Sequence, residues 1–169
     1  MYTYYFHQLY DLPIVNARFF NSFGPGEVPG EYRNVIPNFY YWAKRGQKLP
    51  ITGDGTETRD WTYVGDIVDG LLRMAVVKDA IGEPFNLATG KDTQVIEMAE
   101  KITDRVNNAV SIEYYDRREW DNKTQIVGSI EKSRRVLGYE PQTSFDEGLD
   151  QVHDWFEDNW EQINECAEF

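Results

Sequence analysis

Two kinds of residue in the chain have the chemistry for proton transfer or for binding an anion. Tyr40 and Lys44 lie one helical turn apart, where an ammonium group lowers the pKa of a neighbouring phenol and prepares it for proton transfer. The alternative is a helix with one core aromatic ring and one solvated lysine. Arginine side chains have guanidinium groups, which bind phosphate through paired hydrogen bonds and stay charged at every relevant pH. The sequence thus offers one candidate proton-transfer pair, and its arginines are the candidates for binding phosphate.

The other reactive residue types form no catalytic group. His7 and His153 fall on different predicted helices, and neither has the spacing of a metal ligand. Cys166 lies in the acidic segment 165–168, and nearby carboxylates raise the pKa of a thiol. The glycine-rich loop Gly24–Gly30 contains two prolines and lacks the G-x-G-x-x-G spacing of a dinucleotide-binding loop. We therefore expect no catalytic centre within this chain and no metal site.

The charge of the chain limits its partners. Among 169 residues, 17 are basic and 29 are acidic, which gives a formal net charge of −12. Such a surface repels nucleic acid and anionic lipid, so we expect neither as a partner, and an anionic ligand must be held by locally clustered arginines. We see no apolar run near the ~18 residues of a membrane span, no leader pattern and a single cysteine, so we expect a cytoplasmic protein without disulfides.

Helix and strand patterns alternate along the chain and predict an α/β fold. The predicted helices are Met1–Tyr10, Val35–Arg45, Val64–Val76, one capped by Asp92 or Thr93 that runs to Val106, a short one capped by Ser129 that ends at Gly138, and a last one with a capping box of Ser144 and Glu147 and an apolar stripe to Ile163. The predicted strands are Ile14–Phe20, Lys48–Thr52, Thr58–Tyr63, Phe85–Ala88 and Ser111–Tyr115.

Five segments span nearly the whole chain and carry recognisable motifs. They are Arg18–Gly26, Gly53–Ile67, Phe85–Leu87, Arg117–Asp121 and Arg135–Pro141. In residue type and in order they resemble the NAD-dependent nucleotide-sugar epimerase/dehydratase family, the extended short-chain dehydrogenases. Chance does not explain five matches in the family's order.

The resemblance covers only the C-terminal half of that family, whose first half carries the Gly-rich dinucleotide loop and the catalytic Tyr-x-x-x-Lys helix. It implies partial Rossmann-type sheet strands plus the smaller mixed α/β substrate-binding domain of these enzymes. Residues 1–169 would form a single substrate-binding domain, a fragment without the N-terminal dinucleotide-binding domain. The parent family uses NAD, and we expect this chain alone to bind none. Because the family's Tyr/Lys pair precedes the Arg-x-Phe-Asn motif and Tyr40/Lys44 follows it, the structural interpretation of that pair is favoured.

The resemblance also implies four substrate-binding residues. Arg59 and Arg118 correspond to positions that face the phosphates and ribose in the nucleotide cleft, although a lone arginine is more often a solvated surface group. Asn21 resembles the asparagine whose amide contacts the diphosphate-sugar, and its alternative is a loop-capping role. Asp121 matches an acid that contacts the ribose in some members, and its alternative is a surface carboxylate. Thr52 stands where many relatives have an aromatic residue that stacks on the base, so either the base is not recognised in this way or another residue takes that role. Tyr114, Tyr115 and Trp120 are available, and their alternative is a place in the core.

The function implied is binding of a UDP- or dTDP-sugar, positioned for oxidation at C4 by the missing NAD domain. The alternative is a non-enzymatic ligand-binding or oligomerisation module. Tyr2, Tyr5, Phe6 and Leu9 fall on one face of the first helix. In the family the equivalent helix lies at a homodimer interface. We therefore expect a homo-oligomer or a domain-swapped form in which this helix, the predicted strands Ile14–Phe20 and Phe85–Ala88 and the helix Val64–Val76 form the contact. The alternative is a compact monomer in which the last helix folds over the exposed sheet face.

Overall fold

Helices and short strands alternate along the chain, as the sequence pattern predicts. The structure is a computed structural model and describes residues 2–107, 110–117 and 123–169. The helices are α1 (Tyr2–Tyr10), α2 (Val35–Lys44), α3 (Val64–Val76), α4 (Val95–Val106), α5 (Glu131–Leu137), α6 (Phe145–Asp158) and α7 (Trp160–Cys166), with a 3-10 turn at Lys78–Ala80. The strands are β1 (Asn16–Phe19), β2 (Ser22–Phe23), β3 (Leu49–Thr52), β4 (Thr58–Arg59), β5 (Thr62–Tyr63), β6 (Pro84–Leu87), β7 (Thr93–Gln94), β8 (Ile112–Tyr115) and β9 (Gln125–Ile126).

The strands form small sheets that are mainly parallel. β1 pairs in parallel with β6, β2 with β5, and β3 with β8. β4 lies between β7, to which it is antiparallel, and β9, to which it is parallel. Parallel pairing of strands that are distant in sequence requires crossover connections, and helices supply them here. This mixed α/β architecture with parallel strands confirms the predicted fold class.

Buried apolar side chains form two clusters. The larger joins α2, β3, α4 and the two last helices, with Tyr40, Leu49, Ile102 and Phe156 among its fully buried members. The smaller joins β1 and β6 to α3 and α5, centred on Phe85, Leu87 and Tyr139. The first cluster forms the wall on which the candidate site described below is built.

The helices α2, α3 and α6 begin as predicted, and two others do not. The Ser144 hydroxyl accepts from the Glu147 amide, and the Glu147 carboxylate accepts from Ser144, which completes the capping box of α6. The start of α4 was predicted wrongly, because Thr93 pairs with β4 in β7 and the helix begins only at Val95. The short helix α5 is preceded by Ile130 and begins at Glu131 without a side-chain cap, so the cap predicted at Ser129 is wrong.

Further differences concern the predicted strands and the last helix. The segment Thr58–Tyr63 contains two separate strands, β4 and β5, rather than one. The strand predicted at Ile14–Phe20 is shorter, and Phe19 is 55% exposed rather than buried, because β1 has a neighbour on only one edge within the described residues. The apolar stripe predicted for one last helix is divided at Asn159 between α6 and α7. Both helices pack on α2 and α4, and their buried residues do not contribute to the β1–β6 cluster.

The first and third helices leave apolar side chains in solvent. No residue of α1 is buried, and its four predicted interface residues are all exposed. On α3, Ile67 and Met74 face the core, whereas Leu72 and Val76 are 65% and 78% exposed. Within the described ranges, no helix is both long and apolar enough to cross a membrane. The same residues include no cluster of three metal-ligating side chains.

Candidate functional site

A cavity of about 440 Å3 opens beside α2, where the segment that precedes the helix, strand β3 and strand β4 meet. Its wall contains two guanidinium groups, several side-chain amides and three large aromatic rings. The lining residues are Asn21, Glu31, Arg33, Asn34, Val35, Asn38, Phe39, Trp42, Pro50, Ile51, Thr52, Glu57, Arg59, Trp61 and Val95. An apolar wall with a few polar groups is the usual composition of a small-molecule site.

Two larger hollows suit an anionic ligand less well. One of about 620 Å3 surrounds Trp160 and is lined by four carboxylate side chains, which would repel a phosphate. The other, of about 510 Å3, lies between segments 28–33 and 166–169 and shares Glu31 and Arg33 with the first cavity. The cavity beside α2 is therefore the candidate site.

Asn21 and Arg59, predicted from separate motifs, both line this cavity. Asn21 follows β1 with a positive φ of 21°, a conformation that asparagine tolerates better than most residues, and its side-chain nitrogen lies 3.4 Å from the Asp60 carbonyl oxygen. Arg59 lies in β4, which has a paired strand on each side, and its Nη1 donates to the Thr58 carbonyl at 2.9 Å. The fold thus holds one amide and one guanidinium group at the same cavity.

Asp60 anchors the strand that carries Arg59, and sequence reasoning missed it. This carboxylate is fully buried. Its Oδ1 accepts from the Thr89 amide at 2.8 Å, the Thr89 hydroxyl at 2.7 Å and the Thr62 hydroxyl at 3.2 Å. Its Oδ2 accepts from the amides of Gly90 at 2.9 Å and Gly128 at 3.2 Å. Asp60 therefore joins the segment after β4 to the loops that follow β6 and precede α5. In the sequence its neighbour Arg59 was singled out instead, because a guanidinium group can bind phosphate.

A buried acid within the cavity wall has its own counter-charge. Glu57 is almost fully buried, and its Oε1 lies 3.6 Å from Nη2 of Arg117. A buried carboxylate without a partner would oppose phosphate binding, and the guanidinium group offsets this. A Cβ at Gly53 would lie 2.6 Å from Glu57 Oε1, and Gly53 also has a φ of 81°, so only glycine fits there. Arg117 was part of a quoted motif but was not singled out as a candidate.

A second guanidinium group at the cavity comes from a loop. Arg33 lies in the segment between β2 and α2, is exposed, and lines the cavity together with Arg59. It belongs to no motif used in the sequence analysis, which explains why it was missed. Two arginines at one cavity supply the local positive charge that an anionic ligand needs in a chain of charge −12.

Aromatic residues line the cavity, but they are not the ones predicted. Phe39, Trp42 and Trp61 are in its wall, together with Thr52. Tyr114 and Tyr115 are exposed on β8 and are not among the residues that line the cavity, so their role in base stacking stays a prediction. The Tyr115 hydroxyl instead donates to Glu113, and this bond raises the pKa of the Tyr115 phenol. Trp120 lies outside the described residues.

Two predicted site residues, Arg118 and Asp121, also lie outside the described residues, and their assignment stays a prediction. Arg117, the last described residue before them, contacts Glu57 in the cavity wall. The four predicted residues thus divide into Asn21 and Arg59, which the fold brings together, and these two.

The pair Tyr40 and Lys44 has a structural role, as favoured. Tyr40 is buried and its hydroxyl donates to the Leu149 carbonyl at 2.8 Å. Burial raises the pKa of the Tyr40 phenol far above its ordinary value, which is the opposite of activation. Lys44 is not simply solvated, because it forms an ion pair with Glu157 and its ammonium lies 5.1 Å from the centre of the Trp160 ring.

The glycine-rich loop after β2 does not fit the pyrophosphate of a dinucleotide. A Cβ at Gly24 would lie 2.3 Å from the Val64 side chain, so this glycine serves close approach to α3. A Cβ at Gly30 would lie 2.9 Å from the Glu168 carbonyl oxygen. Glycines of a dinucleotide loop instead let the backbone approach the phosphates at the start of a helix. We therefore derive no step through NAD from these residues.

Comparison with known proteins identifies the fold class and the family of this chain. The parallel α/β fold matches that of Rossmann-like extended short-chain dehydrogenases. Residues 1–152 match the family model described as GDP-mannose 4,6 dehydratase. This chain belongs to the NAD-dependent nucleotide-sugar epimerase/dehydratase family.

Individual relatives agree in fold and sequence. The epimerase Mth375 from Methanothermobacter thermautotrophicus has a TM-score of 0.98 and 62% identity over 99% of this chain and 50% of its own. The enzyme WbmF from Bordetella bronchiseptica, solved with NAD+ and UDP, has a TM-score of 0.85 and 36% identity over 97% of this chain and 52% of its own. UDP-glucuronate 4-epimerase from Thermodesulfobacterium geofontis is 33% identical over 165 residues, which are 95% of this chain and 48% of that enzyme. The chain thus spans about half the length of these relatives. Because the relatives are enzymes, the comparison does not favour the alternative of a non-enzymatic module.

Proposed function

We propose that this chain binds a UDP- or dTDP-sugar in the cavity beside α2 and positions it for oxidation at C4 by a dinucleotide-binding domain outside these 169 residues. The observation that carries the proposal is the meeting of Asn21 and Arg59, from motifs far apart in sequence, at one cavity of suitable size. In this proposal the Arg59 guanidinium and the Asn21 amide bind the diphosphate. WbmF, which shares this fold, was solved with UDP.

Each half of such a ligand has a matching part of the cavity wall. Arg33 and Arg59 supply positive charge for the two phosphates, and Arg118 and Asp121 extend the site toward the phosphates and ribose in the proposal. The half-buried Trp42 ring supplies flat apolar surface for the base or sugar, in place of the aromatic residue that Thr52 replaces. The Glu57 carboxylate does not oppose the phosphates because it is paired with Arg117.

NAD belongs to the complementary domain in this proposal, so the 169 residues act as one substrate-binding domain and bind no NAD alone. The misfit of the loop at Gly24 and Gly30 with a pyrophosphate supports this division. The net charge of −12 supports a small-molecule ligand rather than nucleic acid or membrane, in a cytoplasmic setting.

Calorimetric titration with UDP, uridine and NAD+ tests the proposal. UDP is expected to bind, uridine to bind more weakly because it lacks the phosphates, and NAD+ not to bind detectably. Arg59→Ala and Arg118→Ala should each lower UDP affinity roughly ten- to hundredfold, since a charge-assisted contact to phosphate contributes on the order of 1.5–3 kcal/mol.

The control is Arg73→Ala, which removes a half-buried guanidinium group that pairs with Asp69 and donates to the Gly138 carbonyl, away from the cavity. Its affinity for UDP should equal that of the wild type. Absence of UDP binding at millimolar concentration contradicts the proposal. Equal UDP affinity in Arg59→Ala and the wild type contradicts the placement of the phosphates.

A further inference from the structure

The last described residues lie against the helix that forms the cavity wall. The Phe169 ring packs on two aromatic rings of α2, with centroid distances of 5.2 Å to Tyr41 and 5.4 Å to Trp42. Trp42 lines the candidate site, so Phe169 contacts the side of a ring that also forms the cavity wall. We call residues 167–169 the strap.

The strap also bonds to the loop that forms the rim of the cavity. The Glu31 amide donates to the Glu168 carbonyl at 2.9 Å, and Gly30 pairs with Glu168 in a parallel β-bridge. A Cβ at Gly30 would lie only 2.9 Å from that same carbonyl oxygen, so the close approach depends on glycine. The strap therefore has one side-chain anchor on α2 and one main-chain contact to the loop.

The same loop is held from its inner side by a buried amide. Asn38 of α2 accepts from the Gly30 amide through Oδ1 at 2.9 Å, and its Nδ2 donates to the Gly30 carbonyl at 3.0 Å. Immediately after Gly30, the loop contributes Glu31 and Arg33 to the cavity wall. Asn38 thus fixes the loop at one point, and the strap fixes it one residue closer to Arg33.

We propose that the strap positions the rim of the ligand site, with Phe169 as a positioning residue that holds Glu31 and Arg33 at the cavity. The effect of the strap on ligand binding rests on the proposed function, whereas its hold on the loop does not. Loss of the Phe169 anchor releases the Glu168 carbonyl from the Glu31 amide. The Arg33 side chain is then no longer held where it meets an anionic ligand.

Hydrogen exchange at the Glu31 amide and UDP titration together test the strap. In Phe169→Ala the Glu31 amide should exchange roughly tenfold faster and UDP affinity should fall roughly tenfold, because both ring contacts of Phe169 and one main-chain hydrogen bond are lost. Phe169→Tyr keeps the ring and should retain both properties. Gly30→Ala disturbs the same contact from the loop side, through its clash with the Glu168 carbonyl, and should weaken UDP binding in a similar way.

Phe6→Ala is the matched control, since Phe6 is 48% exposed beside the Tyr10 ring and Phe169 is 54% exposed beside two rings. It should change neither readout. Unchanged exchange at Glu31 in Phe169→Ala overturns the strap, whether or not UDP binds. Faster exchange with unchanged UDP affinity overturns the positioning role. If wild-type protein binds no UDP, the proposed function fails and the effect of the strap on ligand binding with it, while the exchange comparison still decides whether the strap holds the loop.

Discussion

The Asp60 carboxylate and the Arg59 guanidinium are neighbours in sequence with opposite surroundings. Asp60 points into the protein, where both of its oxygens accept hydrogen bonds, three of them from main-chain amides. Arg59 lies at the cavity. Alternation of side chains along an extended segment separates the two roles, so one residue fixes the backbone on which the other is presented.

Asp60→Asn should destabilise the fold by about 2–4 kcal/mol. The substitution replaces an accepting oxygen by a donating NH2 group, which then faces the amide donors of Thr89 or of Gly90 and Gly128. Urea unfolding measures the change. Asp54→Asn is the control, because Asp54 also accepts from a threonine amide and hydroxyl, those of Thr56, but is exposed. Equal loss of stability in both variants contradicts a special role for Asp60.

Among individual residues, those proposed to contact the ligand were easier to predict from the sequence than those that support them. Asn21 and Arg59 stand in recognisable motifs, and the structure brings them together at one cavity. Asp60 carries no signal beyond its place in such a motif, because four of its five donors come from loops that only the folded chain assembles. Arg33 was missed for a related reason: its position depends on the Gly30 contacts with Asn38 and Glu168.

Among the elements, α2 and α6 are joined by a buried phenol. Tyr40 donates to the Leu149 carbonyl of α6, and Tyr139 donates to the Ala88 carbonyl at 3.2 Å in the smaller cluster. Burial raises the pKa of both phenols well above the ordinary value near 10. The unfolded chain therefore loses these protons first as pH rises, so their contribution to stability is complete below about pH 10 and declines above it.

Tyr40→Phe should reduce the alkaline loss of stability while lowering stability at neutral pH. At pH 7 the missing donor costs about 1–2 kcal/mol. Above about pH 10 the free energy of unfolding of the variant should fall less steeply than that of the wild type, by about 1.4 kcal/mol per pH unit. Urea unfolding from pH 7 to 11 measures both. Tyr32→Phe, at an almost fully exposed ring, should leave the wild-type profile unchanged; an equal change in both variants contradicts the argument.

The start of a helix could be predicted where the capping residues are neighbours in sequence and no strand pairing engages them instead. The capping box of Ser144 and Glu147 involves only neighbours in sequence, and α6 begins as predicted. Thr93 has a similar local signal, but the ladder with Arg59 in β4 engages it instead, and α4 begins later. Phe19 was expected to be buried on the basis of an apolar run. Its exposure depends on which strands lie beside β1, and no local pattern contains that information.

At the scale of the whole molecule, an apolar surface remains exposed to solvent on three elements. It comprises α1, the outer side of α3 and part of β1, with Phe19, Leu72 and Val76 among its large exposed side chains. Exposed apolar patches of this kind usually mark an interface. A rival arrangement, in which the last helix folds over the β1–β6 pair, does not occur, because the buried residues of α6 and α7 belong to the other cluster.

We therefore expect this chain to self-associate through that surface when it is prepared by itself. Sedimentation at micromolar concentration should show a homo-oligomer, including a domain-swapped form, because each apolar side chain removed from water contributes roughly 1.5–3 kcal/mol. The double variant Leu72→Glu with Val76→Glu should shift the population toward monomer. The free energy of unfolding of the single chain should not fall, since Leu72 is 65% exposed and Val76 is 78% exposed.

Tyr32→Glu separates this surface from general effects of added charge. Tyr32 is almost fully exposed and lies on the loop before α2, far in sequence from α1 and α3, so the variant should sediment like the wild type. If the double variant and the control dissociate to the same extent, charge repulsion rather than the α3 surface governs assembly. A wild-type chain that sediments as a monomer throughout the micromolar range contradicts the oligomer prediction altogether. The exposed rings of α1 and the outer side of α3 would then stay in water until a complementary domain covers them.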